Sequence, residues 1–350
     1  MAEREFCIGA VATDSGRNML TKCTTTLRTI LVGTGLLVSA PGFTQTPLTF
    51  GASGGISTAI QPLFYAQAAG LFKKRGLDVS IMRMADDTTA VLSFVSGSFD
   101  MLYTSAAAAM VAQARNAEFK LVASIGPRSD YQLVTQKSIA SLKEMEGKSM
   151  AVSKIGAVSY VAPVFVLKKA GVDVSKVRFL ALGNDAARGQ ALVNATVDSA
   201  PLIGVQSVLA LKNGPNLHRL VDVGAQFQDF LYTGIYATSA AIKQKHDAVA
   251  AAVEALIEAS RKQQSDKAAA VAQAVAMGLP EDAIQTNYDV LLASDVPYWG
   301  VNGGITTVAT EAAWDALKAD GSLSADFKFE SIADMSFAEQ AVKKLGPYSK

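Results

Sequence analysis

The side chains in this sequence that could bind a small molecule are concentrated in short loops rich in serine, threonine and glycine. Each loop follows an apolar run of strand length and precedes a run with helical spacing. The loops are Ser53–Thr58, Ala85–Thr89, Tyr103–Ala107, Ser153–Tyr160, Gly183–Arg188 and, with fewer polar groups, Pro201–Gly204. The free N–H groups and the dipole of a helix N-terminus favour anions, and small residues let the backbone approach a ligand closely. The loops therefore predict a site for a small organic anion.

The candidate ligand-binding residues come from these loops and from one tyrosine further along the chain. They are Ser53, Gly54, Gly55, Ser57, Tyr103, Thr104, Ser105, Ile155, Gly156, Ala157, Ser159, Tyr160, Asn184, Arg188 and Tyr232. The hydroxyl residues among them have an alternative role, because serine and threonine also cap helices. What favours ligand binding is that all the loops fall at the same place in a repeated pattern.

The charged residues near the loops leave the ligand class open. Arg188 could pair with an acidic ligand or lie exposed in a first helical turn, and the same holds for Arg128. Asp86 and Asp87 would repel an anion unless they cap a helix from outside the site. Tyr103 and Tyr160 leave room for an aromatic ring, so a pyrimidine or an aromatic carboxylate is the alternative ligand.

The sequence carries no motif of a common enzyme class. It has no GxGxxG opening a helix, no GxxxxGK[ST], no HExxH and no G-x-S-x-G. The two histidines, His218 and His246, lie outside the candidate loops. We therefore predict no catalytic residue, no metal site and no cofactor, and a protein that binds its ligand without changing it.

Length and charge limit the remaining classes of function. The chain has 350 residues, which is enough for two domains of ordinary size. Its 32 basic and 31 acidic residues nearly balance and form no basic stripe, which argues against a partner nucleic acid.

The N-terminal stretch from Met19 to Ala40 resembles an export signal. Lys22 and Arg28 precede the short apolar run Thr29–Val38, and small residues follow up to Ala40. The run is shorter than the ~20 residues that span a bilayer. We predict a signal peptide over residues 1–40, with Met19 as an alternative start, and a periplasmic mature protein. A buried core helix is the alternative interpretation.

Two nearly identical octapeptides reveal a repeated unit. KKRGLDVS occupies Lys73–Ser80 and KKAGVDVS occupies Lys168–Ser175, and strand, loop and helix patterns follow in the same order around both. We interpret each octapeptide as a helix-to-strand turn, with lysines in the last helical turn, glycine as cap, and the aspartate–valine pair entering a strand. Alternating strands and helices predict α/β units with mostly parallel sheets.

After Val221 the pattern changes to one strand followed by helices, predicted at Asp247–Lys262, Asp266–Met277 and Glu281–Leu292. The chain is expected to cross between the two units at Ser129–Tyr131 and to return at Gly224–Phe230. The predicted domains are residues 48–128 with 225–350 as one lobe and residues 129–224 as the other. Two crossings form a hinge, and ligands bind in the cleft that a hinge spans.

Several segments together resemble one protein superfamily. The succession QAAGLFKKRGLDVSI, VSGSFDMLYTS, SLKEMEGKSMAV, LKKAGVDVSKVRFLAL and ALVNATVDSA is similar to periplasmic substrate-binding proteins of ABC importers. The similarity is greatest to the group that takes up nitrate, taurine, alkanesulfonates or thiamine precursors. It implies a two-lobed periplasmic-binding-protein fold with a helical C-terminal tail packed on the first lobe. It also implies a monomer that delivers a ligand such as an alkanesulfonate to a permease with its ATPase.

Two other functions occur on a fold of this kind. Fungal pyrimidine synthases share it and depend on an active-site histidine and a cysteine-rich loop. The present chain has no cysteine after Cys23 and no histidine in the candidate loops. A ligand-sensing module for a membrane receptor is the third possibility, which neighbouring permease and ATPase genes would argue against.

Overall fold

The computed structural model describes residues 45–348 apart from 54–55, 227–229, 294–295, 320, 325 and 327. The chain divides into two units, Met1–Gly42 and Phe43–Lys350, and every described residue belongs to the second. The predicted signal peptide and the candidate residues Gly54 and Gly55 lie outside the described residues. No helix of the described part has both the length and the apolar character to cross a bilayer.

Ten strands are described. They are β1 Thr46–Ala52, β2 Leu77–Arg83, β3 Met101–Ser105, β4 Phe119–Ala123, β5 Gln132–Gln136, β6 Ser149–Val152, β7 Arg178–Ala181, β8 Ser199–Leu202, β9 Leu217–Asp222 and β10 Thr233–Thr238.

The α-helices of the described residues alternate with these strands and then form the C-terminal tail. They are α1 Gln61–Ala68, α2 Asp87–Val95, α3 Ala106–Ala114, α4 Val158–Lys169, α5 Asp185–Val193, α6 Gly204–Asn213, α7 Val223–Gln226, α8 Ser239–Gln244, α9 His246–Ser265, α10 Lys267–Ala276, α11 Glu281–Leu292, α12 Thr307–Ala319, α13 Phe329–Ile332 and α14 Ser336–Leu345. Short 3-10 turns occur at Thr58–Ile60, Lys73–Arg75, Leu142–Met145 and Val174–Lys176.

The strands form two sheets of equivalent topology. The first sheet has the order β2-β1-β3-β10-β4 and the second β7-β6-β8-β5-β9. In each sheet the first three strands are parallel, and the fourth strand is antiparallel to both of its neighbours. We call the first sheet with the helices packed on it the first lobe, and the second sheet with its helices the second lobe. This pair of α/β lobes confirms the predicted fold class.

The two octapeptides differ more than their sequences predict. Gly76 and Gly171 both adopt positive φ, +71° and +73°, as a capping glycine requires. In the first copy the lysines lie in a 3-10 turn and the chain enters β2 directly. In the second copy the lysines end α4, but Val174–Lys176 forms another 3-10 turn and β7 starts only at Arg178. The predicted strand entry was wrong there.

The chain passes between the sheets twice, from β4 to β5 and from β9 to β10. The lobe boundaries given above stay a prediction. Helices α9 and α14 of the tail pack on the first lobe, as predicted. Helix α11 also packs on α6 of the second lobe, where Tyr288 and Val205 share one apolar cluster with Ala59. The tail therefore contacts both lobes.

Candidate ligand-binding cleft

The candidate loops of both lobes meet at one cleft, because the parallel strands of each sheet present their carboxyl ends to it. Two adjoining cavities occupy this cleft. The polar cavity measures about 540 Å³ and is lined mainly by hydroxyl, carboxylate and tyrosine side chains. The apolar groove measures about 750 Å³ and follows α2 and α3 on one side and Ser153–Ser159 on the other. Both are lined by Asp87, Ser105, Tyr131, Ser153 and Tyr232.

On the first lobe, a hydroxyl network holds the carboxylate of Asp87 at the polar cavity. Ser53 donates from Oγ to Asp87 Oδ1 at 2.5 Å, and Thr104 donates from Oγ1 to the same oxygen at 3.1 Å. The two hydroxyl oxygens, Ser53 Oγ and Thr104 Oγ1, lie 2.9 Å apart. Thr104 is fully buried behind Ser53, so it positions Asp87 and does not line either cavity.

The carboxyl groups of Asp86 and Asp87 have different surroundings. Asp86 is the N-cap of α2 and accepts a hydrogen bond from Thr89 N at 2.8 Å. This bond lowers the pKa of Asp86, which keeps the carboxyl ionised. Asp87, in contrast, lies in the cleft at the start of α2 and has no described cationic partner within ion-pair distance. The expected repulsion of an anionic ligand therefore still applies to Asp87.

On the second lobe, Arg188 lines the polar cavity but is fully engaged by the protein. It is 1% exposed and donates from Nη2 to Asp185 Oδ1 at 2.6 Å. Its Nη1 donates to Gly183 O at 2.5 Å and its Nε to Pro201 O at 3.3 Å. Its predicted role as the partner of an anion would require an exchange of these bonds. Arg128 donates to Val296 O at 2.8 Å instead.

Most of the remaining second-lobe candidates lie around the N-terminus of α4. Ser159 Oγ accepts a hydrogen bond from Ser153 N at 2.8 Å and lies 2.6 Å from Ser153 Oγ. Ile155, Gly156 and Ala157 line the apolar groove, and Ala157 is an N-cap residue that provides no capping side chain. The N-terminus of α4 therefore borders a groove that the exposed residue Lys154 also lines.

Other candidates have local partners. Asn184 lines the polar cavity and caps α5 through Ala187 N at 2.9 Å, and Ser105 caps α3 through Ala108 N at 3.3 Å. Ser57 lines the polar cavity without a side-chain cap bond. Tyr160 packs edge-on against Phe179 with ring centroids 4.7 Å apart and lines neither cavity. The structure thus brings most of the described candidates together but turns Tyr160 away.

Three tyrosines form the floor of the polar cavity. Tyr103 and Tyr232 were candidates, and Tyr131, at the first crossing, was missed. The rings of Tyr131 and Tyr232 lie edge to face, with centroids 6.1 Å apart. Burial raises the pKa of each of these tyrosines, so the hydroxyls remain neutral hydrogen-bonding groups. The sequence signal for Tyr131 was an aromatic residue within the predicted crossing Ser129–Tyr131.

A buried carboxyl lies beside this floor. Asp130 is 4% exposed and accepts a hydrogen bond from Gly204 N at 3.2 Å. Burial raises the pKa of Asp130 to about 6, and the charges of Asp185 and Asp222 add to this rise. Among the described residues, no group of three or more histidine, cysteine, aspartate or glutamate side chains could hold a metal ion.

The model of the family described as NMT1/THI5 like matches residues 57–274, more than half of the chain. The chain belongs to this family. No curated protein matches the sequence significantly.

Solved structures extend the comparison to the whole fold. The periplasmic aliphatic sulphonate-binding protein SsuA of Escherichia coli is 16% identical, with a TM-score of 0.70 over 83% of this chain and 92% of that one. The sulfonate-binding SsuA of Methylobacillus flagellatus is 17% identical, with a TM-score of 0.72 over 86% and 95%. The alkanesulfonate-binding SsuA of Xanthomonas axonopodis, bound to MOPS, is 18% identical, with a TM-score of 0.63 over 80% and 95%. The chain thus shares the fold of these periplasmic sulfonate-binding proteins.

Proposed function

We propose that this protein is the extracytoplasmic solute-binding component of an ABC importer, exported by its N-terminal signal. It captures a small organic ligand between its lobes and delivers it, unchanged, to a membrane permease. The observation that carries this proposal is the convergence of loops from both lobes on one polar cavity of about 540 Å³. A ligand that touches both walls stabilises the closed arrangement through contacts it cannot make when the lobes are apart.

The ligand we favour is a small organic anion that also carries an amino group, such as the aminoalkanesulfonate taurine. An acidic group fits the N-terminus of α4, where N–H groups lack a capping side chain and Lys154 adds a positive charge. An amino group fits Asp87, because its carboxylate faces the cavity and is held in place by Ser53 and Thr104. The three SsuA neighbours are sulfonate-binding proteins by description, which supports the acidic part of this proposal.

A pyrimidine or an aromatic carboxylate is the second candidate ligand. The tyrosine floor favours it, since Tyr103, Tyr131 and Tyr232 offer aromatic surface and neutral hydroxyls. An aminopyrimidine would also use the Asp87 carboxylate as an acceptor for its amino group.

A thermal-shift panel tests the proposal on the mature chain. Taurine and ethanesulfonate form a matched pair that differs only by the amino group, and an aminopyrimidine and benzoate represent the second candidate. A ligand at 100 times its dissociation constant should add about 2.7 kcal/mol to the free energy of unfolding. We expect taurine to raise the melting temperature more than ethanesulfonate does. Stabilisation only by the aminopyrimidine would select the second candidate.

The same ligands test for binding without chemistry and for lobe closure. Mass analysis should recover the bound compound unaltered after incubation, and any conversion would contradict the proposed role. Small-angle scattering should show compaction when the ligand saturates the protein. An unchanged profile at saturation would contradict closure about Ser129–Tyr131 and Gly224–Phe230.

A further inference from the structure

The buried carboxyl of Asp130 lies behind the floor of the polar cavity. Its neighbour in the chain, Tyr131, is part of that floor. Its hydrogen-bond donor, Gly204 N, follows Ile203, which lines the same cavity. Asp130 itself is 4% exposed and lines neither cavity. The carboxyl is therefore shielded from solvent but adjacent to residues that a bound ligand would contact.

The surroundings of this carboxyl disfavour its ionised form. Its donors are backbone N–H groups, those of Gly204 and of Asp130 itself. The charges that act on it are those of two more carboxylates, Asp185 of α5 and Asp222 of β9. Burial and like charges both favour a neutral carboxyl, so this position readily accepts a proton.

The arginines of this region are engaged by other groups. Arg188 Nη2 donates to Asp185 Oδ1 at 2.6 Å, and Arg128 Nη1 donates to Val296 O at 2.8 Å. Among the residues that the structure describes, none forms an ion pair with Asp130. A proton is therefore the positive charge that Asp130 can acquire without a rearrangement of these bonds.

The charge of Asp130 acts on the tyrosines around it. Burial is the main cause that raises the pKa of Tyr103, Tyr131 and Tyr232, and the charge of Asp130 is a further cause in all three. The same two causes act on Tyr288 and Tyr298 of the tail. All five hydroxyls are neutral, so these side chains place no countercharge between Asp130 and a ligand in the polar cavity.

We propose that Asp130 is a proton-binding site coupled to ligand capture. Its carboxyl takes up a proton from solvent when an anionic group enters the polar cavity, and the protein binds such a ligand more tightly in acidic than in neutral surroundings. This inference rests on the proposed function and adds a regulation of the same site by pH.

The direction of the coupling follows from like-charge repulsion. A bound anion raises the pKa of Asp130 above its value of about 6 in the free protein. At about pH 5 the carboxyl is protonated with or without ligand, whereas at about pH 8 it is ionised and repels the anion. Like charges about 10 Å apart, at the effective dielectric constant of a protein, change an equilibrium constant on the order of tenfold. We therefore expect the affinity for an anion to fall about tenfold over this pH range.

Proton uptake on binding is the direct test. The full mature chain in unbuffered potassium chloride at about pH 6.5 is titrated with ethanesulfonate, and a pH-stat measures the acid needed to hold the pH. Ethanesulfonate is the probe because a sulfonate stays ionised throughout this pH range. We expect uptake of roughly half a proton per bound ligand. Taurine should cause a smaller uptake, because its ammonium group offsets the charge of its sulfonate.

Asp130→Asn locates the proton. Asparagine keeps an acceptor for Gly204 N but does not titrate, so the variant should take up no proton. Calorimetry should give it nearly the same affinity for ethanesulfonate at about pH 5 and about pH 8. Asp289→Asn is the control and should behave as the wild type, because Asp289 is an exposed residue of α11 that lines neither cavity. The uptake by the wild type remains a test even if Asp130→Asn fails to fold.

Three outcomes would overturn the inference. Ethanesulfonate could bind without proton uptake and with an affinity independent of pH. Uptake could persist in Asp130→Asn, which would assign the proton to another group. Taurine or the aminopyrimidine could bind while ethanesulfonate binds at no pH. Each of these results leaves the proposed function intact, whereas that function fails as well if no compound of the thermal-shift panel binds.

Discussion

The two walls of the cleft are built from topologically equivalent elements, yet the aspartate at one equivalent position has different partners in the two walls. Strands β2 and β7 are each followed by a helix with an acceptor at the N-cap and an aspartate at the first helical position: Asp86–Asp87 for α2, and Asn184–Asp185 for α5. Asp185 binds the guanidinium of Arg188, whereas the equivalent position in α2 to Arg188 is Ala90. The second lobe neutralises its aspartate internally, and the first lobe presents its aspartate to the cleft.

The neighbouring helix starts show a second contrast. The first residue of α3, Ala106, donates its N–H to the backbone oxygen of Tyr232 at 3.0 Å. The first residue of α6, Gly204, donates its N–H to the carboxylate of Asp130 at 3.2 Å. Each helix start thus contacts a crossing between the lobes, but only the second-lobe contact uses a group that titrates. The difference teaches that a common scaffold can place charge asymmetrically without changing its topology.

The largest effect on stability is expected from Arg188→Ala, which removes the cation that neutralises Asp185 in the second wall. Because the guanidinium is buried and bonded to three groups, its loss leaves the Asp185 carboxylate without its cation and removes a hydrogen bond from each of two carbonyl oxygens. The free energy of unfolding should fall by about 3–5 kcal/mol, measured by urea denaturation. Arg178→Ala, at an exposed arginine of β7, is the control and should change it by less than about 0.5 kcal/mol. An equally small effect of Arg188→Ala would show that the network is not structural.

The contact at the start of α6 involves a titratable group, Asp130, whereas the contact of Ala106 at the start of α3 does not. We therefore expect the stability contributed by the α6 contact to depend on pH. The pKa of Asp130 in the folded protein is raised to about 6 from a usual value of 3.8, so the protonated form favours folding. This contribution is fully present below pH 3.8 and is lost as the pH rises through about 6. The loss should amount to about 3 kcal/mol.

Urea denaturation between pH 4 and pH 7 checks this, with Asp130→Asn as the matched variant. As the pH rises, the wild type should lose stability relative to the variant. The difference between their free energies of unfolding should therefore change in favour of the variant. A difference that is constant across this range would contradict the raised pKa of Asp130.

Gly204→Ala tests the contact between Gly204 and helix α11. A Cβ at Gly204 would lie 1.9 Å from Asn287 Oδ1, so the buried Asn287 side chain, or α11 that carries it, would have to move. We expect a loss of about 1–3 kcal/mol in the free energy of unfolding. At Gly189 of α5 a Cβ would meet nothing closer than Leu202 Cδ1 at 3.8 Å, so Gly189→Ala should be neutral or stabilising by up to about 1 kcal/mol. If both variants behave alike, the tail does not clamp the second lobe.

The smallest effect, on binding alone, separates the two aspartates. Asp87→Asn should weaken taurine binding about tenfold, equivalent to about 1.4 kcal/mol. It should leave ethanesulfonate binding unchanged or tighten it, because the variant lacks the carboxylate that repels an anion. Asp185→Asn should instead lower stability, because Asp185 accepts from Arg188 Nη2 and from Ile203 N. Calorimetry with both ligands, together with urea denaturation, distinguishes the two results. A taurine affinity that is unchanged by Asp87→Asn would remove Asp87 from the ligand site.

The sequence by itself determined the alternation of strands and helices, the positions of the cleft loops and the repetition of one unit. These features follow from local rules: apolar periodicity, glycine at positive φ and polar residues at helix starts act over a few residues. Helix α11 was predicted at Glu281–Leu292 and is found there. The turns at Gly76 and Gly171 were likewise predictable, because only the local backbone conformation decides them.

Only the tertiary structure decided which side chains face the cleft and which are engaged elsewhere. Tyr160 lies in a candidate loop but packs on Phe179, and Arg188 is held by carbonyl groups and by Asp185. Tyr131 joins the cavity because the crossing places it against Tyr232. The clamp of α11 on α6 depends on contacts between residues far apart in the chain. Such contacts are determined by packing between elements, so they cannot be predicted from the spacing of residues within one element.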